Sequence, residues 1–197
     1  MYGIYESGEV IAEFATPLTV RSNHPVFASD TLSLSRQVIR RTAQRWEIEA
    51  RIVPLSSTAN ILFSNLITKG YSVAFDVVMP QNYGAILNRT ASGSVTASGS
   101  INASVVTLSG LSGLLPSGTF IKFASHNKIY VTLEDRSGSG SVIIYPGLFA
   151  GLSGIAMTYK DDVLMKCLYD LDTTIGMVYS DGILMDMGTI RLIEKPS

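Results

Sequence analysis

The sequence predicts a mainly β protein: a split β-sandwich-like domain with one packed helix and an inserted small β-barrel. Three observations lead to this fold class. Apolar and polar residues alternate in the segment around Trp46, and that period of two is typical of a half-buried strand. A stretch rich in Ser, Gly, Ala and Thr begins near residue 81. Short apolar runs separated by turn residues follow it at the spacing of β-hairpins.

Length and composition narrow the class of protein. The chain has 197 residues, of which 46% are hydrophobic, and a chain of this size can bury a substantial core. Only 16% of the residues are charged, against about a quarter in typical globular proteins. The low charge indicates a surface that contacts partners. No apolar run is long enough for a membrane-spanning helix, and the first residues lack the basic region of a signal peptide, so we expect a soluble chain without an export signal.

The first 80 residues contain the best-defined strand and helix. In "RWEIEARIVP" the apolar residues Trp46, Ile48, Ala50 and Ile52 alternate with charged ones, and Pro54 is predicted to end the strand. The next segment has apolar residues at helical spacing and Gly70 in the position of a C-terminal cap. These signals predict a helix near 57–69. The segment "YSVAFDVVMP" then returns to extended structure and ends at Pro80.

Residues 81–158 are predicted to form the inserted small β-barrel domain. Their short β-branched runs are too apolar for a flexible linker. The runs "TFIKF", "KIYVTLE" and "VIIYP" predict three strands separated by turns. Ser125, His126, Asn127 and Lys128 are predicted to connect the first two of them.

The last part of the chain returns to longer strands. The segment "TYKDDVLMKCLYDLDTT" predicts a strand or strand pair, and Asp181-Gly182 is a strong hairpin signal. We expect the strands around Trp46 to pair with those around Asp181-Gly182. Residues 1–80 and 159–197 would then form the split β domain around the insertion. Cys167, the single cysteine, can form neither an internal disulfide nor a zinc site and is predicted to be a small core or strand residue.

The sequence predicts no catalytic, cofactor-binding or metal-binding residue. His24 and His126 have no other ligand type at metal-binding spacing, and no serine lies in a nucleophile elbow. Asp170 and Asp172 could be an acid pair or a calcium site, but acids that protect an exposed strand edge explain them better. We therefore expect a protein that is not an enzyme and needs no cofactor.

Five arginines between residues 36 and 51 form the densest basic stretch of the chain. A nucleic-acid surface is one interpretation, but the net charge is −1, and no aromatic residues are interleaved to stack on bases. A strand face balanced by Glu47 and Glu49, or contacts with a neighbouring subunit, explain the stretch better. Arg40, Arg41 and Arg45 are therefore candidate partner contacts, and no sequence-specific nucleic-acid binding is expected.

The succession "RWEIEARIVPLS", "ANILFSNLITKG" and "LLPSGTFIKFASHNKIYVTLEDRSGSGSVIIYPGL" resembles a group of structural proteins from the tail tip or baseplate of tailed bacteriophages, the distal-tail-like proteins. The resemblance spans roughly residues 36–148 and rests on structural motifs. Gly118-Thr119 stands where this group has Gly-Asp, and Pro146-Gly147-Leu148 stands where it has Pro-Pro-Leu.

The resemblance implies a non-enzymatic subunit of a ring that connects the tail tube to other baseplate or host-facing proteins. Its partners would be copies of itself and other phage tail proteins, with no membrane span. It would be located in the virion tail and assembled in the host cytoplasm. The turn Ser125, His126, Asn127 and Lys128 would then offer its tip as a possible partner contact.

The alternative is a carbohydrate- or peptide-binding β module that uses the inserted barrel. Tyr83, Tyr130 and Tyr145 would supply stacking or hydrogen-bonding groups. An open groove lined by aromatic rings would favour this interpretation, whereas tyrosines buried between strands would favour assembly.

Overall fold

The computed structural model describes residues 2–6, 8–30, 36–40, 43–54, 72–160, 162–170, 178–180, 183–186 and 188–196, with the side chains of 26–40, 54 and 178–186 excepted. Eighteen strands and one short helix lie in this part of the chain. In chain order they are β1 (Gly3–Glu6), β2 (Glu9–Asn23), β3 (Val26–Asp30), β4 (Arg36–Arg40), β5 (Arg45–Pro54), β6 (Phe75–Val78), α1 (Tyr83–Asn88), β7 (Thr96–Gly99), β8 (Val105–Ser109), β9 (Leu114–Leu115), β10 (Phe120–Phe123), β11 (Ile129–Thr132), β12 (Arg136–Ser137), β13 (Gly140–Tyr145), β14 (Leu152–Thr158), β15 (Leu164–Tyr169), β16 (Val178–Ser180), β17 (Ile183–Asp186) and β18 (Thr189–Glu194).

The first sheet is a closed barrel of six strands in the order β1-β2-β5-β18-β15-β6. All neighbouring strands are antiparallel, and the pairing of Ile4 with Val77 joins β1 to β6 and closes the barrel. The alternation predicted for β5 is confirmed, since Trp46, Ile48, Ala50 and Ile52 are all buried. They face the interior because successive side chains of a strand point to opposite faces.

The second sheet is another closed barrel of six strands, in the order β10-β11-β13-β8-β7-β14. Its core is built from one continuous part of the chain and includes Phe123, Tyr130 and Leu108. α1 lies just before this barrel, and the Asn82 side chain caps it by accepting a 2.9 Å hydrogen bond from the Gly84 amide. None of the helices in the described part of the chain has the length and hydropathy needed to cross a membrane.

Three two-stranded ribbons are separate from the barrel sheets in the described part of the chain, and one of them is formed by β9 and β12. β3 pairs with β4, and β16 pairs with β17, each as a separate antiparallel two-stranded sheet. Ser180 pairs with Ile183 across the predicted Asp181-Gly182 turn; these two turn residues lie outside the described part of the chain.

The barrels meet where the chain passes from the first to the second and back. Val78 on β6 pairs with Leu164 on β15, and the Met79 amide donates a 2.9 Å hydrogen bond to the Val163 carbonyl oxygen. The chain therefore leaves the first barrel and returns to it at neighbouring positions. Residues 81–158 lie between these positions in sequence.

The mainly β class and the small barrel are confirmed. Three finer predictions concern the shape of the first sheet, the partner of β5 and the helix. The first sheet closes into a barrel, where the sequence predicted a sandwich-like arrangement. The predicted pairing of β5 with the last part of the chain is confirmed for β18, which follows the Asp181-Gly182 signal, whereas β16 and β17 on either side of that signal pair with each other. The helix predicted near 57–69 lies outside the described residues. Cys167 is buried on β15, as predicted.

Candidate functional site

The turn Ser125–Lys128 connects β10 to β11, as predicted. Ser125 is exposed and Asn127 is half-buried, but His126 and Lys128 are buried. Two of the four proposed contact side chains are thus enclosed within this chain. Any contact with another protein through this turn would have to use Ser125 and the exposed part of Asn127.

Lys128 joins the second barrel to the first. Its ammonium group forms an ion pair with the carboxylate of Glu194 on β18 and donates a 2.7 Å hydrogen bond to the Gln44 carbonyl oxygen. The two side chains are 4% and 0% exposed. Burial lowers the pKa of Lys128, and the charge of Glu194 offsets part of this effect. A buried pair such as this is costly to break, because either group alone would be an uncompensated buried charge.

Glu194 is held by backbone donors from both barrels. Its carboxylate accepts hydrogen bonds from the Trp46 amide at 2.9 Å and from the Ile129 amide at 2.8 Å. The four polar contacts of this carboxylate and its lysine fix the end of β18 against the start of β11. No local sequence pattern indicates this arrangement, because Lys128 and Glu194 lie 66 positions apart.

Trp46 lies between the two cores. Its indole nitrogen donates a 2.9 Å hydrogen bond to the Ile129 carbonyl oxygen. The indole ring makes edge contacts with Phe120 and Tyr145, whose ring centroids lie at 5.3 and 6.1 Å. Ile129 and these two rings belong to the hydrophobic cluster of the first barrel although their strands belong to the second. The two barrels therefore share apolar contacts, and Trp46 is their centre.

Further side chains strengthen the same junction. Lys122 donates a 2.9 Å hydrogen bond to the Leu164 carbonyl oxygen; burial lowers the pKa of Lys122, against the opposing charge of Asp76. The Gln81 side chain pairs with the backbone of Phe120 through bonds of 2.9 and 3.0 Å. Polar contacts from both barrels therefore surround the apolar centre of the junction.

Both histidines lie near the junction. His24 hydrogen-bonds through Nε2 to the Tyr145 hydroxyl, which also lies 3.0 Å from the Ser22 hydroxyl. His126 packs against Phe123, Tyr130 and Phe149. Burial lowers its pKa, and the charges of Lys122 and Lys128 act in the same direction. These contacts give both histidines a packing role.

A cleft runs along one side of the junction. Two adjoining cavities of about 530 and 320 Å³ share Ala43, Gln44 and Pro196 among their lining residues. The second cavity also includes Asn102 and the half-exposed Phe149. Gln44 is buried, and its side-chain oxygen accepts no hydrogen bond from any residue that the structure describes.

The tyrosines named for a binding site are distributed differently. Tyr130 is fully buried, and Tyr145 packs at the junction. Tyr83 is exposed on α1, in another part of the surface. The three rings therefore do not line one groove.

The basic stretch around β5 is part of an ion-pair network. Arg45 and Arg191 both bind the carboxylate of Glu47, and Arg191 also pairs with Asp170 at 3.2 Å. Burial raises the pKa of Glu47, but hydrogen bonds from Arg191, Asn23 and Arg45 outweigh it and lower the pKa to about 2. Arg45 is balanced by Glu47 on its own strand face, which agrees with the interpretation of a strand face balanced by acids. Arg40 lies on β4 without a described side chain; Arg41 and Asp172 lie outside the described residues.

Part of the outer surface of the second barrel is formed by uncharged side chains, beside the carboxylate of Glu134, which accepts a 3.0 Å hydrogen bond from the Ile143 amide. Val105 on β8 pairs with Ile143 on β13, and the Leu133 amide donates a 2.9 Å hydrogen bond to the Ile143 carbonyl oxygen. The exposed fraction is 47% for Val105, 39% for Ile143 and 55% for Leu133. Thr107 and Ser141, the next cross-strand pair on the same face of the sheet, are exposed too. We call the outer surface formed by these five residues the uncharged face.

No group of three or more His, Cys, Asp and Glu side chains suited to a metal ion occurs among the residues that the structure describes. No protein-family model matches the chain, and a search of curated proteins finds no match either.

Proposed function

We propose that this chain is a non-enzymatic structural subunit of a bacteriophage tail-tip or baseplate ring. It would connect the tail tube to other baseplate or host-facing proteins. Its partners would be copies of itself and other tail proteins, and it would be assembled in the host cytoplasm and reside in the virion tail. The resemblance of the sequence motifs to distal-tail-like proteins suggests this role.

The uncharged face is the observation that carries the proposal. Three apolar side chains lie next to one another on three adjacent segments of the barrel wall, and small hydroxyl side chains extend the surface. Contiguous exposed apolar residues often mark interaction sites, and a low content of charged residues is characteristic of interface centres. No charged residue occurs between Arg89 and Lys122 in the sequence that supplies much of this barrel.

The junction supports a structural role in a second way. A subunit that transmits position from one neighbour to another needs its parts in a fixed orientation. The buried Lys128–Glu194 pair and the contacts of Trp46 fix the two barrels against each other. We infer that residues 81–158 form a domain inserted into the split domain 1–80 plus 159–197, and that a packed helix near 57–69 belongs to the latter.

Electron cryomicroscopy of intact particles that carry this chain tests the proposed role. We expect density for the two barrels in a ring at the distal end of the tail tube. Particles in which this position is occupied only by other proteins would contradict the role.

A variant series tests the observation that carries the proposal. The double variant Val105→Glu/Ile143→Lys should keep its thermal stability, because both side chains are exposed and the two new charges attract each other across the strand pair, but it should fail to enter particles. Leu87→Lys, which places a lysine at an exposed apolar position of α1, is the matched control and should assemble normally. Normal incorporation of the double variant would show that the uncharged face is not an assembly surface.

A second candidate function, binding of a carbohydrate or peptide, is favoured by the cleft. Its lining combines the half-exposed Phe149 ring with amide groups of Asn102 and Gln44, and such a mixture of apolar and polar groups is typical of ligand sites. Titration of the protein with cell-wall oligosaccharides and with short peptides, followed through the fluorescence of Trp46, tests this function. A signal change that Phe149→Ala abolishes would support it, and no saturable change with any ligand would exclude it.

A further inference from the structure

A hydrogen bond joins Tyr130 to His126, and the surrounding contacts determine its direction. The Tyr130 hydroxyl oxygen accepts a 2.9 Å hydrogen bond from the Phe149 amide and lies 3.3 Å from Nε2 of His126. Burial raises the pKa of Tyr130 to about 12, so the hydroxyl keeps its hydrogen. Among the described residues, Nε2 of His126 is the acceptor within reach of that hydrogen. This network assigns the proton of the neutral imidazole to Nδ1.

The imidazole ring of His126 is enclosed by aromatic rings. The residue is 7% exposed, and the ring centroids of Phe123 and Phe149 lie 6.1 and 5.8 Å from the centroid of the imidazole. Nδ1 makes no hydrogen bond with any residue that the structure describes. A second proton on this ring would therefore place a charge where few polar groups can solvate it.

The charged groups around His126 also oppose a second proton. Burial is the main cause that lowers the pKa of His126; a contact with its own backbone opposes this effect, and the charges of Lys122 on β10 and Lys128 in the turn add to it. Glu194 on β18, whose charge acts on Tyr130 and on both lysines, is already paired with Lys128. A protonated His126 would thus add a positive charge beside two others.

Phe149 connects this group of residues to the cleft. Its ring is half-exposed and lines the second cavity, while the same ring packs on His126 and its amide donates to Tyr130. Leu148, the preceding residue, is buried, and its amide donates a 2.9 Å hydrogen bond to the Ala103 carbonyl oxygen. Phe149 is therefore held by His126 and Tyr130, whereas Leu148 is fixed by separate contacts.

We propose that protonation of His126 in mildly acidic solution releases Phe149 from Tyr130 and changes the wall of the cleft. Nε2 carries a hydrogen in the protonated ring and no longer accepts the Tyr130 hydrogen. The hydroxyl then has to turn, which leaves a buried donor unpaired and is unfavourable. Movement of Phe149 away from the ring lets water reach both groups. This device goes beyond the proposed function, and it operates whatever the cleft binds.

The direction of the pH response follows from the closed form, in which Phe149 covers the imidazole. There the pKa of His126 lies below its ordinary value of 6.5, whereas water surrounds the ring in the open form, which binds the proton more readily. The closed form is therefore fully stable relative to the open form above about pH 6.5. It loses that stability as the pH falls through the lowered pKa.

Hydrogen exchange of single amides in the full chain, followed by NMR, tests the device. Between about pH 7.5 and about pH 5, the protection factor of the Phe149 amide should fall about tenfold or more, because the open form becomes more populated. The Leu148 amide is the internal control and should keep its protection factor. An equal fall at both amides would show that the whole barrel opens, and would overturn the inference.

Variants of the two histidines identify the group that responds. His126→Gln cannot gain a proton, and its amide oxygen can still accept the Tyr130 hydrogen, so the Phe149 amide should stay protected at both pH values. His24→Gln, the matched control, removes the other imidazole and should keep the fall. A fall that persists in His126→Gln would overturn the inference.

Two further measurements do not depend on the folding of His126→Gln. Tyr130→Phe removes the acceptor of the Phe149 amide, so this amide should be poorly protected at both pH values; protection equal to that of the original chain would contradict the device. NMR of the imidazole nitrogens in the original chain should show that His126 titrates below pH 6.5. A titration midpoint at or above that value would overturn the inference.

Discussion

The indole nitrogen of Trp46, on the first barrel, donates a 2.9 Å hydrogen bond to the backbone oxygen of Ile129, on the second. The donor is buried and its ring is enclosed by Phe120 and Tyr145. This single residue therefore contributes a polar bond and apolar contacts to the same junction. Its removal should affect how the two barrels unfold.

Trp46→Phe should reduce the free energy of unfolding by about 1–3 kcal/mol, because a buried carbonyl oxygen loses its donor. The measurement is urea unfolding followed by circular dichroism. Tyr159→Phe, which removes the hydroxyl that donates a 3.1 Å hydrogen bond to the Gly93 carbonyl oxygen, is the control for loss of a hydrogen bond away from the junction. If Trp46→Phe broadens the transition and the control does not, the junction couples the barrels. Equal and sharp transitions in both variants would contradict this coupling.

Lys128→Met should destabilise the protein by about 3–5 kcal/mol, since it leaves the Glu194 carboxylate buried without its cation. Adding Glu194→Gln should recover much of that loss, because the side chain is then neutral and still accepts a backbone hydrogen bond. The four proteins of this double-mutant cycle are compared by chemical unfolding. If the loss of unfolding free energy in the double variant equals the sum of the losses in the two single variants, the two groups do not interact.

The ionisation of Glu47 should make the free energy of unfolding depend on pH in the acid range. Its pKa is about 2 in the folded protein, against 4.5 for an unperturbed group, so the unfolded chain binds its proton more readily. The stabilisation is present above about pH 4.5 and is lost as the pH falls towards 2. Glu47→Gln should flatten this part of the stability profile. Glu49→Gln, at a more exposed ion pair with Arg21, should change it much less. If Glu47→Gln loses stability between pH 4.5 and 2 as the original protein does, Glu47 is not the source of this pH dependence.

Two glycines with similar backbone angles should respond differently to alanine. Gly113 has φ of 79°, and a Cβ there would lie 2.3 Å from the Thr90 carbonyl oxygen. Gly138 has φ of 68° with open space around it. Gly138→Ala should cost about 1–2 kcal/mol from the left-handed conformation alone, and Gly113→Ala should cost clearly more, because backbone must also move. Melting temperatures compare the two variants. Equal losses would show that the turn at Gly113 has room to adjust.

The sequence predicted individual strands better than it predicted the closure of the first barrel. The period of two identified the buried side of β5, because that signal lies within ten consecutive residues. Barrel closure depends on the pairing of Ile4 with Val77, and no local pattern encodes a partner so distant in sequence. The pairing of β5 with the last part of the chain was expected, but no local signal showed that β18, and not β16 or β17, would be the neighbour.

The turn at His126 shows a different limit. Polar residues between two apolar strands indicate an exposed hairpin tip, and Ser125 fits that expectation. Lys128 is buried because Glu194 and the Gln44 carbonyl oxygen receive its charge. Composition alone cannot distinguish a lysine in water from one with a distant carboxylate. The contact roles of Ser125, Asn127, Arg40, Arg41 and Arg45 stay predictions.

The strand order of the first barrel has a consequence for synthesis on the ribosome. The second barrel uses strands between Thr96 and Thr158, in one continuous stretch. The first barrel cannot close until β15 and β18 have been made. Because domains generally fold as units while the chain emerges, we expect the second barrel to be complete while β1, β2 and β5 still expose apolar faces. The strands made first would stay in an incomplete sheet until β15 and β18 are made. The completed second barrel beside them would supply the surface on which Trp46 packs.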